Sequence, residues 1–145
     1  MASEAAHEFE EPAGIVLRSG RIVLMLRDNG TRLMHSVFSD DEGRTWSKPR
    51  PTGIAAYPAH LLGLPDGRIG CVAGRRQPPY GIVLHLSIDG ENWDPQPTFL
   101  IDDLRTKDLG YPTAALRSNG DLVVIYYAQD VDGVTGIHLL TARLQ

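Results

Sequence analysis

The sequence predicts an all-β protein made of about three four-stranded antiparallel sheets, arranged as the blades of a propeller. Three observations support this prediction: a pattern that recurs every 46–54 residues, glycine-containing turns between apolar runs, and no sustained helical period. The length of 145 residues suits one domain or a few repeats. We therefore expect a single domain over residues 1–145, with repeats at about 11–55, 56–105 and 110–145.

Each repeat opens with a residue that is followed by proline, and then reaches a turn that ends in glycine. The openings are Glu11-Pro12, Tyr57-Pro58 and Tyr111-Pro112, and the turn glycines are Gly20, Gly67 and Gly120. The prolines are 46 and 54 residues apart, and the glycines are 47 and 53 apart. Asp-Gly and Asn-Gly between apolar runs favour a tight type I′ turn, in which two residues have positive φ. Each repeat is thus expected to begin with a β-hairpin.

A third strand is expected in each repeat, over residues 33–38, 81–86 and 136–141. Pro49 and Pro51 follow the first of these strands, and Pro95 and Pro97 follow the second. Because proline cannot donate a ladder hydrogen bond, these segments are expected to be sheet edges. The third repeat stops before such an outer strand. The strands are almost continuously apolar, which predicts sheets that are buried on both faces.

Two similar turns follow the third strands of the first two repeats. Residues 39–46 read Ser-x-Asp-x-Gly-x-Thr-Trp, and residues 87–93 form a copy that is one residue shorter. We call them the Ser-x-Asp turns. Serine and aspartate side chains can accept hydrogen bonds from nearby backbone amides, and a tryptophan ring can pack back over the turn. Asp41 and Asp89 are therefore interpreted as structural and not catalytic residues.

Composition argues against several classes of partner. The net charge of −4 supplies no general basic field for nucleic acid or an anionic membrane. Cys71 is the single cysteine and has apolar neighbours, so we expect a core residue. Four histidines on predicted strands show no metal-binding spacing, and no metal or cofactor is expected: His35, His60, His85 and His138. No signal peptide or membrane span is recognisable, which makes the cytoplasm the default expectation.

The Ser-x-Asp turns resemble the Asp-box, or bacterial neuraminidase repeat, of the sialidase-like six-bladed propellers. The resemblance covers residues 9–144, and its most specific parts are residues 11–27, 57–93 and 108–127. It implies that the chain corresponds to the C-terminal half of such a propeller, with a last blade that lacks its outer strand.

The resemblance also implies a site at one end of the central channel. Sialidases bind the sialic acid carboxylate with three arginines, whose planar guanidinium groups match a carboxylate. Their nucleophile is a tyrosine activated by a glutamate, because a carboxylate nucleophile would be repelled by the substrate. The residues that match these roles are Tyr111 as nucleophile, Glu11 as its partner, Arg27 as one clamp arginine, and Arg75 or Arg76 as another; Tyr57 and Asp108 are placed on the same channel face. Pro112 stands where sialidases usually have serine.

The first clamp arginine and the aspartate acid/base belong to the other half of that family's propeller. We therefore expect recognition of a glycan or acidic sugar without complete glycosidase activity in a single chain. Two alternatives remain: a non-catalytic structural or interaction module, and an exo-sialidase type of glycoside hydrolase completed by dimerisation. An open half-ring would expose two apolar blade faces, so a homodimer that closes a six-bladed ring is expected.

Overall fold

A computed structural model describes residues 7–144, which form eleven β-strands and contain no helix. The first sheet contains β1 (Phe9–Val16), β2 (Ile22–Asp28), β3 (Leu33–Ser39) and β4 (Arg50–Pro51). The second contains β5 (Ala59–Gly63), β6 (Ile69–Arg75), β7 (Gly81–Ser87) and β8 (Thr98–Ile101). The third contains β9 (Leu109–Leu116), β10 (Asp121–Gln129) and β11 (Thr135–Arg143). Neighbouring strands are antiparallel throughout, so the predicted all-β fold of three antiparallel sheets is confirmed.

The same backbone hydrogen bonds close the first hairpin of every sheet. In the second sheet, the Leu64 amide donates to the Arg68 carbonyl at 2.8 Å and the Gly67 amide donates to the Leu64 carbonyl at 3.0 Å. Only the turn glycine has positive φ, with values of 89° at Gly20, 92° at Gly67 and 86° at Gly120. The predicted type I′ turn is therefore wrong. The three-residue loop matches a type I turn that is followed by a left-handed glycine.

The outer strands are short where the sequence contains proline. β4 has two residues, of which one is Pro51, and β8 begins only after Pro97. The third strands run slightly further than predicted, to Ser39, Ser87 and Arg143. Proline thus limits how far the fourth strand can pair with the third.

The middle sheet is buried on both faces, whereas the flanking sheets are not. Every residue of β6 except Arg75 is buried, and β7 is similar. One core joins the first and second sheets around Met25, Ile69 and Cys71, and another joins the second and third sheets. The prediction that both faces are buried is correct for β6 and β7 and wrong for β1, β9 and β11, whose residues alternate between more and less exposed. Among the described residues, the first and third sheets each share a hydrophobic core with the second sheet.

The first strands of the three sheets lie side by side. β5 contacts both β1 and β9, and β6 also contacts β9. Full burial of an aliphatic side chain contributes about 1.5–3 kcal/mol, so fully buried Ile69, Val72 and Ile82 stabilise this arrangement on both faces of the middle sheet. The residues that open the three repeats are thereby brought to one end of the molecule. No helix among residues 7–144 could cross a lipid bilayer.

Candidate functional site

Residues that open the first and third repeats meet although 100 positions separate them. The Tyr111 hydroxyl donates a short hydrogen bond to Oε1 of Glu11. Nη1 of Arg27 donates to Oε2 of the same carboxylate at 2.9 Å. The Arg27 guanidinium carbon lies 4.4 Å from the centroid of the Tyr57 ring, within the range of a cation–π contact. The structure therefore gathers Glu11, Arg27, Tyr57 and Tyr111 into one cluster.

The backbone is unusual at both ends of the hydrogen bond between Tyr111 and Glu11. Glu11 has φ 48° and Tyr111 has φ 47°, a left-handed conformation that is uncommon outside glycine. Strand pairing is irregular beside each of them, between Glu10 and Ala13 and opposite the Ile125–Tyr127 segment. Such bulges redirect a side chain out of the pleat and often occur near functional sites. Here they aim Glu11 and Tyr111 at each other while the Tyr111 residue stays 59% exposed.

Of the two neighbouring arginines, Arg76 and not Arg75 is placed in this cluster. Nε of Arg76 donates to the Leu109 carbonyl at 2.9 Å, and Nη2 donates to the Tyr127 hydroxyl at 3.2 Å. Arg75 instead donates to the Pro78 carbonyl at 3.4 Å, and its guanidinium lies 5.9 Å from the Phe99 ring centroid. Successive side chains of a strand point to opposite faces, which separates the pair.

Two glycines allow the backbones around the site to approach closely. A Cβ atom at Gly74 would lie 3.0 Å from the Gly110 Cα and 3.3 Å from the Tyr57 carbonyl oxygen. A Cβ atom at Gly110, where φ is 140°, would lie 3.0 Å from Nη2 of Arg76. The absence of side chains at these positions lets Tyr57, Arg76 and Tyr111 come together.

An open cavity of about 550 Å³ lies beside the cluster. Its lining comprises Arg27, Arg32, Tyr57, Arg76, Gln77, Lys107 and Asp108. Four of these side chains are cationic and one is acidic, so the local field favours an anion although the whole chain is negative. Three lining residues were not predicted from the sequence, because they lie in connecting segments with no repeat or spacing to mark them: Arg32, Gln77 and Lys107.

The hydrogen bond between Tyr111 and Glu11 shifts both protonation equilibria. Partial burial opposes ionisation of Glu11, but the hydrogen bonds from Tyr111 and Arg27 outweigh it and hold the pKa of this carboxyl below its usual value. The Glu11 carboxylate accepts this hydrogen bond, and the bond raises the pKa of Tyr111 above its usual value because it favours the protonated phenol. At neutral pH the pair is therefore a neutral phenol that donates to a carboxylate. A glutamate in this position can accept the phenol proton when the tyrosine oxygen attacks an electrophile.

The Ser-x-Asp turns lie at the other end of the sheets. Ser39 pairs with Ile22 at one end of β2, whereas Arg27 pairs with Met34 near the opposite end. The Asp41 carboxylate accepts from the Thr45 amide at 2.8 Å and from the Thr45 hydroxyl at 2.6 Å. These bonds are internal to the turn.

The tryptophan of each Ser-x-Asp turn donates back to the turn backbone. Nε1 of Trp46 donates to the Gly43 carbonyl at 3.0 Å, and Nε1 of Trp93 donates to the Gly90 carbonyl at 3.1 Å. These contacts have the form of a fold-stabilising turn and involve no residue of the cavity.

The histidines expected to be structural behave differently from one another. Nδ1 of His85 lies 2.8 Å from the Asp94 carbonyl, and Nε2 of His138 lies 3.3 Å from the Ala128 carbonyl. Nδ1 of buried His35 has no hydrogen-bond partner among residues 7–144. Cys71 is fully buried, as expected, and burial raises the pKa of its thiol to about 12.

Solved structures with the same fold include carbohydrate-active enzymes. A protein of unknown function from Dyadobacter fermentans DSM 18053 is 27% identical, with a TM-score of 0.89 over 99% of this chain and 40% of that one. The GH93 α-L-arabinofuranosidase of Fusarium graminearum, solved with arabinobiose, is 15% identical, with a TM-score of 0.71 over 96% of this chain and 47% of that one. The xylan β-1,4-xylosidase of Bacillus halodurans C-125 is 15% identical, with a TM-score of 0.67 over 96% and 29% of the two chains. The chain thus spans less than half the length of these proteins and shares the fold of β-propeller glycoside hydrolases.

Sequence comparison identifies the family. No curated protein sequence matches the chain significantly. Residues 4–124, which include both Ser-x-Asp turns and the cluster around Glu11 and Tyr111, match the family described as BNR repeat-like domain. The three repeated sheets and this match over most of the sequence lead to one conclusion: the chain belongs to the BNR repeat-like domain family.

Proposed function

We propose that the protein recognises an acidic sugar at the cavity beside the Tyr111–Glu11 pair, in the manner of the C-terminal half of a sialidase-like six-bladed propeller. The observation that carries the proposal is the placement of Arg27 and Arg76 at this cavity, next to a tyrosine and a glutamate that contact each other. The residues form one unit in the fold although they come from all three sheets.

The donors of Arg27 suit a carboxylate ligand. Its Nη1 is engaged by Glu11, and the Arg27 side chain also lines the cavity. A ligand carboxylate in the cavity would give this guanidinium group a further acceptor, and charge-assisted hydrogen bonds of this kind are stronger than neutral ones. Arg32 and Lys107 add positive charge to the cavity lining. A neutral pentose, such as those in the arabinobiose bound by the Fusarium enzyme, would leave this charge without a counterpart.

A glycan-binding experiment tests the proposal. Binding of N-acetylneuraminic acid, glucuronic acid and arabinobiose would be measured by titration calorimetry. We expect heat from an acidic sugar and none from arabinobiose. Arg76→Gln should weaken binding about 10-fold or more, because a hydrogen bond to a charged group contributes about 1.5–3 kcal/mol. Arg75→Gln is the matched control, since Arg75 contacts Pro78 and Phe99 instead of the cavity. Equal losses in the two variants would contradict the assignment.

A second candidate function is glycoside hydrolysis of the exo-sialidase type, favoured by the Tyr111–Glu11 contact. Glu11 would accept the phenol proton as the Tyr111 oxygen attacks the anomeric carbon. Protonation of the leaving group needs a further acid. We propose that a second chain contributes this acid in a dimer. Turnover of an aryl sialoside that disappears in Tyr111→Phe would support hydrolysis. Absence of turnover together with sugar binding would support recognition without catalysis.

The proposed assembly is a homodimer that closes a six-bladed ring. The third sheet presents exposed apolar side chains on β10 and β11, including Ile137 at 77% and Leu139 at 61% exposure. A contiguous apolar face of this kind is usually covered in solution. Light scattering at micromolar concentration should give twice the chain mass, whereas a monomer would refute the dimer. A protein with neither sugar binding nor turnover would instead be a structural or interaction module.

A further inference from the structure

A cluster of two histidines and one aspartate lies apart from the proposed sugar site. His7 precedes β1, Asp28 ends β2, and His35 lies in β3. Nδ1 of His7 is 2.7 Å from Oδ2 of Asp28, and Nδ1 of His35 is 3.8 Å from the same oxygen. Each of the three residues offers one ligand atom within 4.8 Å of a ligand atom of each of the other two. Asp28 and His35 follow Arg27 and Met34 in their strands, so they face the opposite side of the first sheet.

His35 supplies an independent sign that this cluster can hold a ligand. The residue is 3% exposed, yet Nδ1 finds no hydrogen-bond partner among residues 7–144. Buried ring nitrogens ordinarily have a hydrogen-bond partner in the protein, because burial removes the water that would otherwise bond to them. The unpaired nitrogen faces the Asp28 carboxylate at a distance too long for a hydrogen bond.

The surroundings of the cluster would orient the three groups. Oδ1 of Asp28 accepts from the amides of Glu8 and Gly30, both at 3.0 Å. Oδ2 accepts from the Thr31 hydroxyl at 2.7 Å and also faces the two histidines. The Phe9 ring stacks on His7 at 5.0 Å and meets His35 edge-on at 5.4 Å between centroids. Such supporting contacts fix the orientation of metal ligands in proteins. The His7 side chain is 22% exposed, so an ion can reach the cluster from solvent.

We propose that His7, Asp28 and His35 form a binding site for a divalent transition metal, with Zn²⁺ as the expected ion. Two imidazole nitrogens and one carboxylate oxygen are donors that suit Zn²⁺ better than Ca²⁺ or Mg²⁺, which prefer oxygen. Tetrahedral Zn²⁺ with bonds of about 2.0–2.1 Å places its ligand atoms about 3.3 Å apart. The two separations that involve Asp28, 2.7 and 3.8 Å, bracket this spacing, so side-chain shifts of about half an ångström would bring each of them to it. The metal would tie the segment before β1 to the hairpin of β2 and β3.

Zinc titration of the full chain tests this site without reference to any sugar. After treatment with a chelator, Zn²⁺ would be added in a calorimeter, and Co²⁺ would be added separately to record its visible absorption. We expect one Zn²⁺ per chain, the absorption of tetrahedral Co²⁺, and a higher midpoint of thermal unfolding with Zn²⁺. His7→Ala should weaken Zn²⁺ binding at least about 10-fold, because even residues that only support a metal ligand contribute about 10- to 100-fold.

Matched variants separate a metal site from a hydrogen-bonded cluster. His60→Ala is the control, because His60 lies in β5 outside the cluster. His7→Ala removes a partly exposed side chain, and circular dichroism would establish that it folds. The His60→Ala variant should bind Zn²⁺ as tightly as the wild type. The proposal is overturned if the wild-type chain binds no stoichiometric Zn²⁺, or if His7→Ala binds it as tightly as His60→Ala does.

Discussion

Gly90 is a position where the structure predicts a large effect of a single methyl group. The residue lies in the second Ser-x-Asp turn, with φ 77°. A Cβ atom there would lie 2.6 Å from Cγ2 and 2.9 Å from Cγ1 of Val23. Val23 belongs to β2 and is fully buried, so it has no open space into which it can move. The turn of the second sheet thus presses directly on the first sheet, and Gly90→Ala should disturb that contact.

Two costs add up in Gly90→Ala. A left-handed conformation costs an L-residue about 1–2 kcal/mol, and overpacking a core contact costs about 1–3 kcal/mol. The free energy of unfolding should therefore fall by about 2–5 kcal/mol. Gly43→Ala in the first Ser-x-Asp turn is a matched control. Its φ is 85°, but the nearest atom to the added Cβ is 3.7 Å away, so only the backbone cost of about 1–2 kcal/mol applies.

Urea unfolding followed by tryptophan fluorescence would measure both variants against the wild type. The double variant Gly90→Ala/Val23→Ala should lose less stability than the sum of the two single variants, because Val23→Ala removes the methyl groups that clash. The reasoning is refuted if Gly90→Ala costs no more than Gly43→Ala, since the contact with Val23 would then carry no energy.

Three further predictions concern ionisable groups. Tyr111→Phe removes a hydrogen bond that keeps the pKa of Glu11 low, so the Glu11 carboxyl should titrate at a higher pH in NMR; an unchanged titration would contradict the contact. Partial burial opposes ionisation of Asp89, but hydrogen bonds from Asn92 and its neighbours lower the pKa to about 2. This is below the unfolded value of about 3.9, so the stabilisation is complete above about pH 4 and is lost as the pH falls toward the folded pKa. Asp89→Asn should therefore lose less stability than the wild type between about pH 4 and pH 2 in urea unfolding, and equal losses would argue against the prediction. Burial raises the pKa of Cys71 to about 12, so a disulfide reagent should modify this thiol at the rate of unfolding, and a fast reaction in native protein would show otherwise.

Local sequence patterns were sufficient to predict the sheets. Strand positions follow from apolar runs bounded by glycine and proline, which act within a few residues of themselves. The same patterns misjudged the hairpin turns, because Asp66-Gly67 is compatible with two loop geometries that differ in one φ angle. The patterns also predicted that β1, β9 and β11 are buried on both faces, whereas each of these strands has one more exposed face. An apolar run shows that a strand can be covered on both faces, but it does not show whether a neighbouring sheet is present to cover it.

The repeat and the all-β class follow from the sequence, because both depend on spacing along the chain. The resemblance to sialidase-like propellers is what marked Glu11, Arg27 and Tyr111 as candidates. Only the tertiary structure decided that Arg76, and not Arg75, approaches the Tyr111–Glu11 pair, and that Arg32 and Lys107 line the same cavity. It alone brought His7 to Asp28 and His35. These choices depend on which face of a strand a side chain occupies and on how separate sheets pack. Contacts such as the one between Arg76 and Tyr127, 51 positions apart, leave no mark in local sequence.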